Sequence, residues 1–166
     1  MEKNEIIFRQ DVRGGDASGL RDIVESTGFF NQEEIDVAVE LVTERLEKGE
    51  ASGYYFIFAD FKDRTIGYAC YGPIPGTQAS FDLYWIAVHR DYRGKGIGKL
   101  LLNASEQEIS RMGGRRIYIE TASRKQYTPT RAFYLACQYE LEATLRDFYA
   151  PGDSKCIFVK EIHSVE

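Results

Sequence analysis

The sequence predicts a mixed α/β fold in which one mostly antiparallel sheet carries helices on both faces. Apolar residues recur with helical spacing in some segments, whereas shorter segments are crowded with β-branched and aromatic residues. Glycine, proline and polar turns separate the two kinds of segment. The chain of 166 residues is long enough for a sizeable core and contains no repeat or linker, so residues 1–166 are expected to form a single domain.

The N-terminal part is predicted to contain a short strand and two helices. Residues 6–8 are apolar and predict the opening strand. Asp16 is a candidate cap for a first helix, which Gly28 ends. Asn31 and a glutamate three residues later form the capping-box pattern. Behind them, apolar residues keep helical spacing as far as Gly49, which predicts a second helix.

The middle of the chain is rich in predicted strands. Residues 54–59 are dense in β-forming residues, and after a polar turn residues 65–71 continue the pattern. The glycine and proline residues at 72–76 end it. Residues 81–88 are apolar on both faces apart from Asp82, which predicts a central strand that is covered on both sides.

The C-terminal half alternates the two kinds of element. Helical spacing returns at 96–112, and a strand is predicted at 115–121. A Thr-Pro pair opens a further helix over 128–137, because proline is favoured at the first helical position. Two strands, 142–149 and 155–162, follow at the end. The predicted order of elements is therefore βααβββαβαββ.

Composition argues against several classes of function. The net charge is −5 and the densest basic cluster is short, whereas proteins that grip nucleic acid carry a basic stripe. The first residues lack the apolar stretch of a signal peptide, and the longest apolar run is too short for a bilayer. Three widely spaced cysteines, with only two histidines, predict neither a disulfide framework nor a metal site. We expect a cytoplasmic protein without nucleic-acid, membrane or metal partners, whose acidic surface suits a cationic substrate.

The most informative segment is a glycine loop that follows the central strand and opens a helix. It consists of Arg93-Gly94-Lys95-Gly96-Ile97-Gly98. Glycines let backbone N–H groups approach an anion, and the helix start adds unpaired donors and a positive dipole end. The glycine loop fails as a P-loop, since Leu100 would replace the hydroxyl residue. It also fails as a dinucleotide loop, since Leu101 would replace the third glycine.

Two segments resemble signatures of the GNAT acetyltransferases. The glycine loop is similar to the family's Arg/Gln-x-x-Gly-x-Gly/Ala loop, and residues 130–139 resemble its Ala-x-x-Tyr-x-x-x-Gly-Phe helix. The order of elements is similar over nearly the whole chain. The resemblance implies transfer of an acetyl group from acetyl-CoA directly to a primary amine in a ternary complex, with neither a cysteine nucleophile nor a metal. It leaves open a protein N-terminus, a lysine or a small molecule as the acceptor, and also a homodimer.

The resemblance assigns binding of the co-substrate to particular residues. Backbone groups of the strand before the loop would bind the pantetheine arm, and an N–H near Val88 would hold the thioester oxygen. The loop would hold the pyrophosphate. The residues assigned in this way are Ile86, Ala87, Val88, Arg93, Gly94, Lys95, Gly96, Ile97, Gly98 and Lys99.

The resemblance also implies roles in proton transfer. Tyr134 stands where the family's tyrosine protonates the departing thiolate, and a phenol with a pKa of about 10 can protonate a thiolate of pKa about 8.5. Glu120 and Asp82 each stand where one branch of the family has a catalytic carboxylate, and the base is one of the two, with a slight preference for Glu120. Tyr149 would face the substrate. His89 is expected to be a surface residue at a strand end rather than a base.

Two departures from the family pattern limit what the resemblance implies. Gln138 stands where relatives have a glycine, so the helix end is either strained or built differently. The loop after Glu120 is longer, with no clear asparagine for the pantetheine. The alternative function is a non-catalytic acyl-CoA-binding or regulatory module on the same fold. Such a module would need neither Tyr134 nor a base, so their presence favours an enzyme.

Overall fold

A computed structural model describes residues 1–163, and within them the helices and strands follow the predicted order. The elements are β1 (Ile7–Arg9), α1 (Asp16–Ser26), α2 (Gln32–Lys48), β2 (Tyr55–Phe61), β3 (Arg64–Pro73), β4 (Ser80–Val88), α3 (Ile97–Arg111), β5 (Arg116–Ala122), α4 (Thr128–Ala136), β6 (Glu140–Ala150) and β7 (Asp153–Glu161). Short 3₁₀ turns lie at Lys3–Glu5, Gly49–Ser52, Arg90–Tyr92 and Lys125–Tyr127.

The strands of this described part form a seven-stranded sheet in the order β1-β2-β3-β4-β5-β7-β6. β4 and β5 are parallel and pair from Ser80↔Arg116 to Asp82↔Tyr118. The pairs β1–β2, β2–β3, β5–β7 and β6–β7 are antiparallel. The prediction of a mixed, mostly antiparallel sheet is therefore confirmed.

The chain divides into two compact units. The first unit comprises Met1–Gly72 with Trp85–Glu108, and the second comprises Pro73–Tyr84 with Ile109–Glu166. A single domain over residues 1–166 stays a prediction.

In the first unit, α1 and α2 pack against one face of β2 and β3. The rings of Phe56, Phe58 and Tyr68 stack on this face with centroids 5.6 to 6.4 Å apart. The helices contribute apolar side chains at helical spacing, which are buried against these rings because the helices are amphipathic. Those with no exposed surface are Leu20, Ile23, Val24 and Val42.

Helix α3 lies on the other face of β3, where Gly67 permits a close approach. A Cβ built on Gly67 would be 3.1 Å from Leu101 Cδ1 of α3 and 3.1 Å from the carbonyl oxygen of Ala87 in β4. Both distances are shorter than ordinary contacts, so a side chain at this position would push α3 and the end of β4 away. The glycine therefore helps to fix where β4 ends and α3 begins.

The start of α1 differs from the prediction that Asp16 caps the helix. Gly15 is the N-cap, and Asp16 is the first helical residue. The Asp16 carboxylate accepts from the backbone N–H of Arg13 at 2.7 Å and from the guanidinium of Arg9 at 2.9 Å. Arg9 and Asp16 are both buried, and a buried carboxylate needs such a charged partner. The aspartate thus ties α1 to β1 instead of capping it.

In the second unit, α4 packs on the apolar face of β5 and β7. Ile119 of β5 pairs with Phe158 of β7, and the Tyr134 ring of α4 lies 6.1 Å from the Phe158 ring. All three side chains are at most 5% exposed. Because side chains alternate along a strand, the neighbouring residues of β5 and β7 lie on the opposite face.

Candidate active site

The glycine loop, residues 93–98, directly follows the 3₁₀ turn Arg90–Tyr92 and runs into α3. Gly94 and Gly96 have φ of +74° and +79°, a conformation that residues with a Cβ rarely adopt. The N–H of Leu100 bonds the carbonyl of Gly96 at 3.2 Å, which is the first bond of the helix. The N–H groups of residues 97–99 precede it and have no acceptor within the helix. The loop can therefore cradle an anion with backbone donors.

The end of α1 anchors the loop. The N–H of Arg90 donates to Ser26 Oγ at 3.1 Å, and Arg93 Nη2 donates to the carbonyl oxygen of Thr27 at 3.1 Å. The sequence assigns the Arg93 charge to a phosphate, and in this structure the guanidinium contacts the protein backbone. Lys95 and Lys99 are the other cations of the assigned segment.

His89 connects β4 to the loop, and its side chain is buried with 6% exposed. The expectation of a surface residue is therefore wrong, because the ring folds back onto its own turn. Nδ1 accepts from the N–H of Asp91 at 3.1 Å, and Nε2 lies 3.0 Å from Arg64 Nη2. The backbone N–H of His89 bonds the carbonyl of Ile66 at 2.7 Å. These contacts hold the path from β4 into the loop.

The three residues assigned to pantetheine lie where the sequence predicts them, at the end of β4 directly before this turn. Ala87 is buried, and Ile86 and Val88 are half-buried. Their backbone groups belong to the first unit, like the loop.

Tyr134 lies in α4, in the second unit, and is 5% exposed. Its ring contacts the rings of Phe158 and Tyr139, with centroids 6.1 and 6.0 Å apart. Burial raises the pKa of the Tyr134 phenol well above its usual value. The ordinary phenol value used in the sequence argument therefore does not hold here. The hydroxyl stays protonated at neutral pH, and giving up its proton costs more than for an exposed tyrosine.

The end of α4 has the left-handed backbone geometry that a glycine usually adopts. Gln138 has φ of +70°, so the strained alternative is the one observed. The N–H of Tyr139 bonds the carbonyl of Tyr134 at 3.0 Å, and the N–H of Gln138 bonds that of Leu135 at 3.1 Å. These two bonds form a Schellman motif with the left-handed residue at C′. The motif holds the backbone of Tyr134 itself.

The structure brings the two candidate bases together. Asp82 pairs with Tyr118 across the parallel strands, and Glu120 lies two residues further along β5 on the same face. Lys155 of β7 places Nζ 3.0 Å from Glu120 Oε2 and is 15% exposed. We name Asp82, Glu120 and Lys155 the carboxylate cluster.

The environment of Asp82 differs from that of Glu120. Burial raises the pKa of Asp82 to about 6, the nearby Glu120 charge adds to this, and Lys155 opposes it. Glu120 has an ion pair with Lys155, and its side chain is 50% exposed. Because two neighbouring carboxylates resist being ionised together, Asp82 takes up a proton at a pH closer to neutral than an isolated aspartate does.

Tyr149 belongs to the same region. It is 47% exposed, and its pKa is raised by burial and by the charges of Glu120 and Asp153. The adjacent Phe148 ring lies 3.9 Å from Lys155 Nζ. Sequence reasoning missed Lys155 and Phe148, and only the pairing of β5 and β7 with β6 could have indicated them.

The carboxylates and Tyr134 lie on opposite faces of this part of the sheet. Glu120 pairs with Ile157, whereas the neighbouring residue Ile119 pairs with Phe158, against which Tyr134 packs. Alternation along the strands therefore separates the acid candidate from the base candidates.

Within residues 1–163, no group of three His, Cys, Asp or Glu side chains is placed to hold a metal ion. In the same part of the chain, no helix is both long enough and apolar enough to cross a bilayer.

Comparison with known proteins identifies the family. A model of the GNAT acetyltransferase family matches residues 20–139, which include the glycine loop and Tyr134. The chain belongs to the GNAT acetyltransferase family. As a member it is an acyltransferase with the GNAT fold, and the predictions of family, fold class and enzyme class are confirmed.

Solved structures of GNAT proteins agree with this assignment. A protein from Desulfovibrio desulfuricans that is assigned to the GNAT family is 46% identical, with a TM-score of 0.94 over 95% of this chain and 99% of that one. The aminoglycoside 6′-N-acetyltransferase from Enterococcus faecium is 20% identical, with a TM-score of 0.76 over 96% and 99% of the two chains. The ribosomal-protein-S18-alanine N-acetyltransferase from Escherichia coli is 17% identical, with a TM-score of 0.73 over 97% and 96%.

The latter two structures share the fold with this chain, but at these identities they do not define its acceptor. Another aminoglycoside 6′-N-acetyltransferase, solved with coenzyme A, is 20% identical with a TM-score of 0.77 and covers 96% and 99% of the two chains. Among the curated proteins, none matches the sequence.

Proposed function

We propose that this GNAT protein is an N-acetyltransferase that moves the acetyl group of acetyl-CoA directly onto a primary amine in a ternary complex. The glycine loop carries the proposal, because Gly94 and Gly96 adopt positive φ directly before the free N–H groups of α3. The proposal assigns phosphate binding to the first unit and proton transfer to the second. A cytoplasmic location and a homodimer stay predictions.

The residues of the first unit fit the phosphates of coenzyme A. Both glycines have a backbone conformation that L-residues rarely adopt, so no side chain covers the backbone of the loop at these positions. The N–H groups of residues 97–99 donate to phosphate oxygens, and Lys95 and Lys99 add charge. Residues 86–88 bind the pantetheine arm through their backbone, and an N–H near Val88 holds the thioester oxygen.

Asp82 is our choice as the base that takes the proton of the acceptor amine. Glu120 is held in an ion pair with Lys155, whereas Asp82 lies beside a negative charge that favours uptake of a proton. Its pKa of about 6 leaves it ionised at neutral pH and still basic enough to accept a proton. The charge of Glu120 then makes Asp82 more basic, and the slight preference for Glu120 is reversed.

Each proton and electron pair has a destination in this reaction. The nitrogen lone pair attacks the carbonyl carbon, and the carbon–sulfur bond breaks with its electron pair on sulfur. Asp82 accepts the proton lost by nitrogen. Tyr134 donates a proton to sulfur from the face of the sheet opposite the carboxylates, so the acid and the base act on different atoms. Because burial raises the pKa of the Tyr134 phenol, this transfer costs free energy, which the breaking of the carbon–sulfur bond must supply. No bond to the enzyme forms, so no cysteine acts as a nucleophile in the reaction.

A panel of amines tests the proposal. Acetyl-CoA is incubated with the protein and an aminoglycoside, a polyamine, an amino acid, or peptides with a free N-terminus or a lysine. Release of free coenzyme A is measured together with the mass of the acceptor. Stoichiometric acetylation of at least one amine supports the proposal. Binding of acetyl-CoA without transfer to any of these amines would favour the non-catalytic acyl-CoA-binding module.

A further inference from the structure

We propose that Lys3 binds the diphosphate of coenzyme A above Gly96, as a charged ligand that the N-terminal segment adds to the glycine loop. The residue precedes the part of the chain that matches the family model, which begins at residue 20. The inference rests on the proposed binding of acetyl-CoA by the glycine loop and adds one specific side chain to it.

The geometry places the ammonium of Lys3 against the loop. A Cβ built on Gly96 would be 3.0 Å from Lys3 Nζ and 3.4 Å from Lys3 Cε. The side chain of Lys3 thus reaches the point where the absence of a Cβ leaves the backbone open. Both residues belong to the first unit.

The N-terminal segment holds Lys3 in place through its own contacts. Lys3 begins a 3₁₀ turn in which the N–H of Glu5 bonds the carbonyl of Glu2 at 3.0 Å. The Glu5 carboxylate in turn accepts from the N–H of Glu2 at 2.8 Å. Ile6, which follows, is 7% exposed, and β1 begins directly after it. A buried residue and a paired strand thus fix the turn to the body of the unit.

The charges around Lys3 favour an anion rather than a protein partner. Among residues 1–163, no carboxylate oxygen lies within 4.0 Å of the Lys3 ammonium, although Glu2 and Glu5 are close in sequence, and the Glu5 carboxylate bonds the backbone N–H of Glu2. The ammonium instead faces the start of α3, where the helix dipole is positive. The ammonium and the positive end of the helix dipole repel each other unless an anion binds between them. A diphosphate bridging Lys3 and the loop would remove this repulsion.

Removing the charge of Lys3 tests the proposal. Lys3→Met keeps the length of the side chain, and Lys3→Arg keeps the charge. Lys48→Met is the matched control, because Lys48 is on α2, has the same charge and pairs with Glu44 at 2.7 Å. Calorimetry measures the Kd of coenzyme A, of dephospho-coenzyme A and of phosphate-free pantetheine, at low and at moderate salt.

We expect Lys3→Met to weaken coenzyme A and dephospho-coenzyme A by about 3- to 10-fold, the usual strength of one partly exposed charged contact. The loss should shrink at moderate salt, because ions screen the contact. Pantetheine binding should not change, and Lys3→Arg and Lys48→Met should stay within about twofold of the wild type. Thermal unfolding of each variant checks that the fold is intact.

Three results would overturn the role of Lys3 while wild-type binding of coenzyme A leaves the co-substrate site of the proposed function intact. Equal binding by Lys3→Met would make the residue a bystander, and tighter binding would make it a competitor for the phosphate position. If Lys3→Met weakens the binding of coenzyme A but not that of dephospho-coenzyme A, Lys3 contacts a phosphate other than the diphosphate. Failure of the wild type itself to bind coenzyme A would overturn the proposed function instead.

Discussion

The glycine loop and the carboxylate cluster are built in different ways. In the proposed function the loop acts through backbone groups, whose positions follow from two glycines with positive φ and from the start of α3. The cluster would act through side chains, and the basicity of Asp82 depends on neighbours in three strands. A backbone site is specified by a few consecutive residues, whereas a side-chain site is specified by strand register and burial. Substitutions should therefore affect the two regions in different ways.

The largest expected effect is that of Tyr134→Phe. Loss of the proton donor should lower kcat by about 10²- to 10⁴-fold with little change in acetyl-CoA binding. Tyr68→Phe is the matched control, because Tyr68 is also buried and its hydroxyl has no hydrogen-bond partner within the described residues. Steady-state kinetics and calorimetry measure both variants. A drop below about threefold in a reaction limited by chemistry would assign Tyr134 to packing alone.

The second effect separates the two carboxylates. Asp82→Asn should lower kcat by about 10²-fold at pH 7, and Glu120→Gln by less than about tenfold. The loss in Asp82→Asn should be smaller at pH 9, since more of the amine is already neutral there. Initial rates between pH 6 and 9 measure this. A larger loss in Glu120→Gln at every pH would restore Glu120 as the base.

Asp82→Asn should also stabilise the protein. The folded pKa of Asp82, about 6, lies above the unfolded value, so the native state binds more protons between about pH 4 and 6. Asp82 therefore lowers stability as pH rises through this window, and the deficit persists at pH 7. Asp82→Asn should remove it, by at most about 1 kcal/mol because solvent screens a half-buried group. Denaturant unfolding at pH 4 and 7 should show the gain at pH 7 alone, and a loss of stability at pH 7 would contradict this origin of the pKa.

Gly96→Val tests the backbone site. The variant should raise the KM for acetyl-CoA by about tenfold or more, because the side chain would stand among the phosphate donors. Its φ of +79° also makes the variant less stable by about 1–2 kcal/mol. Gly53→Val has the same kind of strain at φ +77° with open space around it, so it should lose stability and keep its KM. An unchanged KM in Gly96→Val would show that the phosphates bind elsewhere.

The sequence was informative where function depends on local backbone. It predicted the order of elements, the capping box at Asn31 and Glu34, and the glycine loop, because each depends on residues close together in the chain. It left Asp82 and Glu120 as alternatives, because only the pairing of β4 with β5 brings them together. It missed the burial of His89, since the contact with Arg64 joins residues far apart in the sequence.

The smallest expected effect is that of a substitution at the end of α4, where backbone conformation and a proposed catalytic side chain meet. Gln138 has φ of +70° in a Schellman motif whose bonds include the carbonyl of Tyr134. A left-handed residue with a Cβ costs about 1 kcal/mol or more, and glycine in the unfolded chain costs about 0.5–1 kcal/mol through entropy. Gln138→Gly should therefore be neutral or stabilising by up to about 1 kcal/mol in a denaturant melt.

Gln138→Ala distinguishes backbone strain from loss of the glutamine side chain. Alanine keeps the Cβ and therefore the strain, so it should not reproduce any gain seen with glycine. If both variants lose the same stability, the glutamine side chain matters and the strain does not. Because this turn holds the backbone of Tyr134, Gln138→Gly should also leave kcat within about twofold of the wild type. A large fall in kcat without a loss of stability would show that the left-handed glutamine, and not only the turn, positions the Tyr134 hydroxyl.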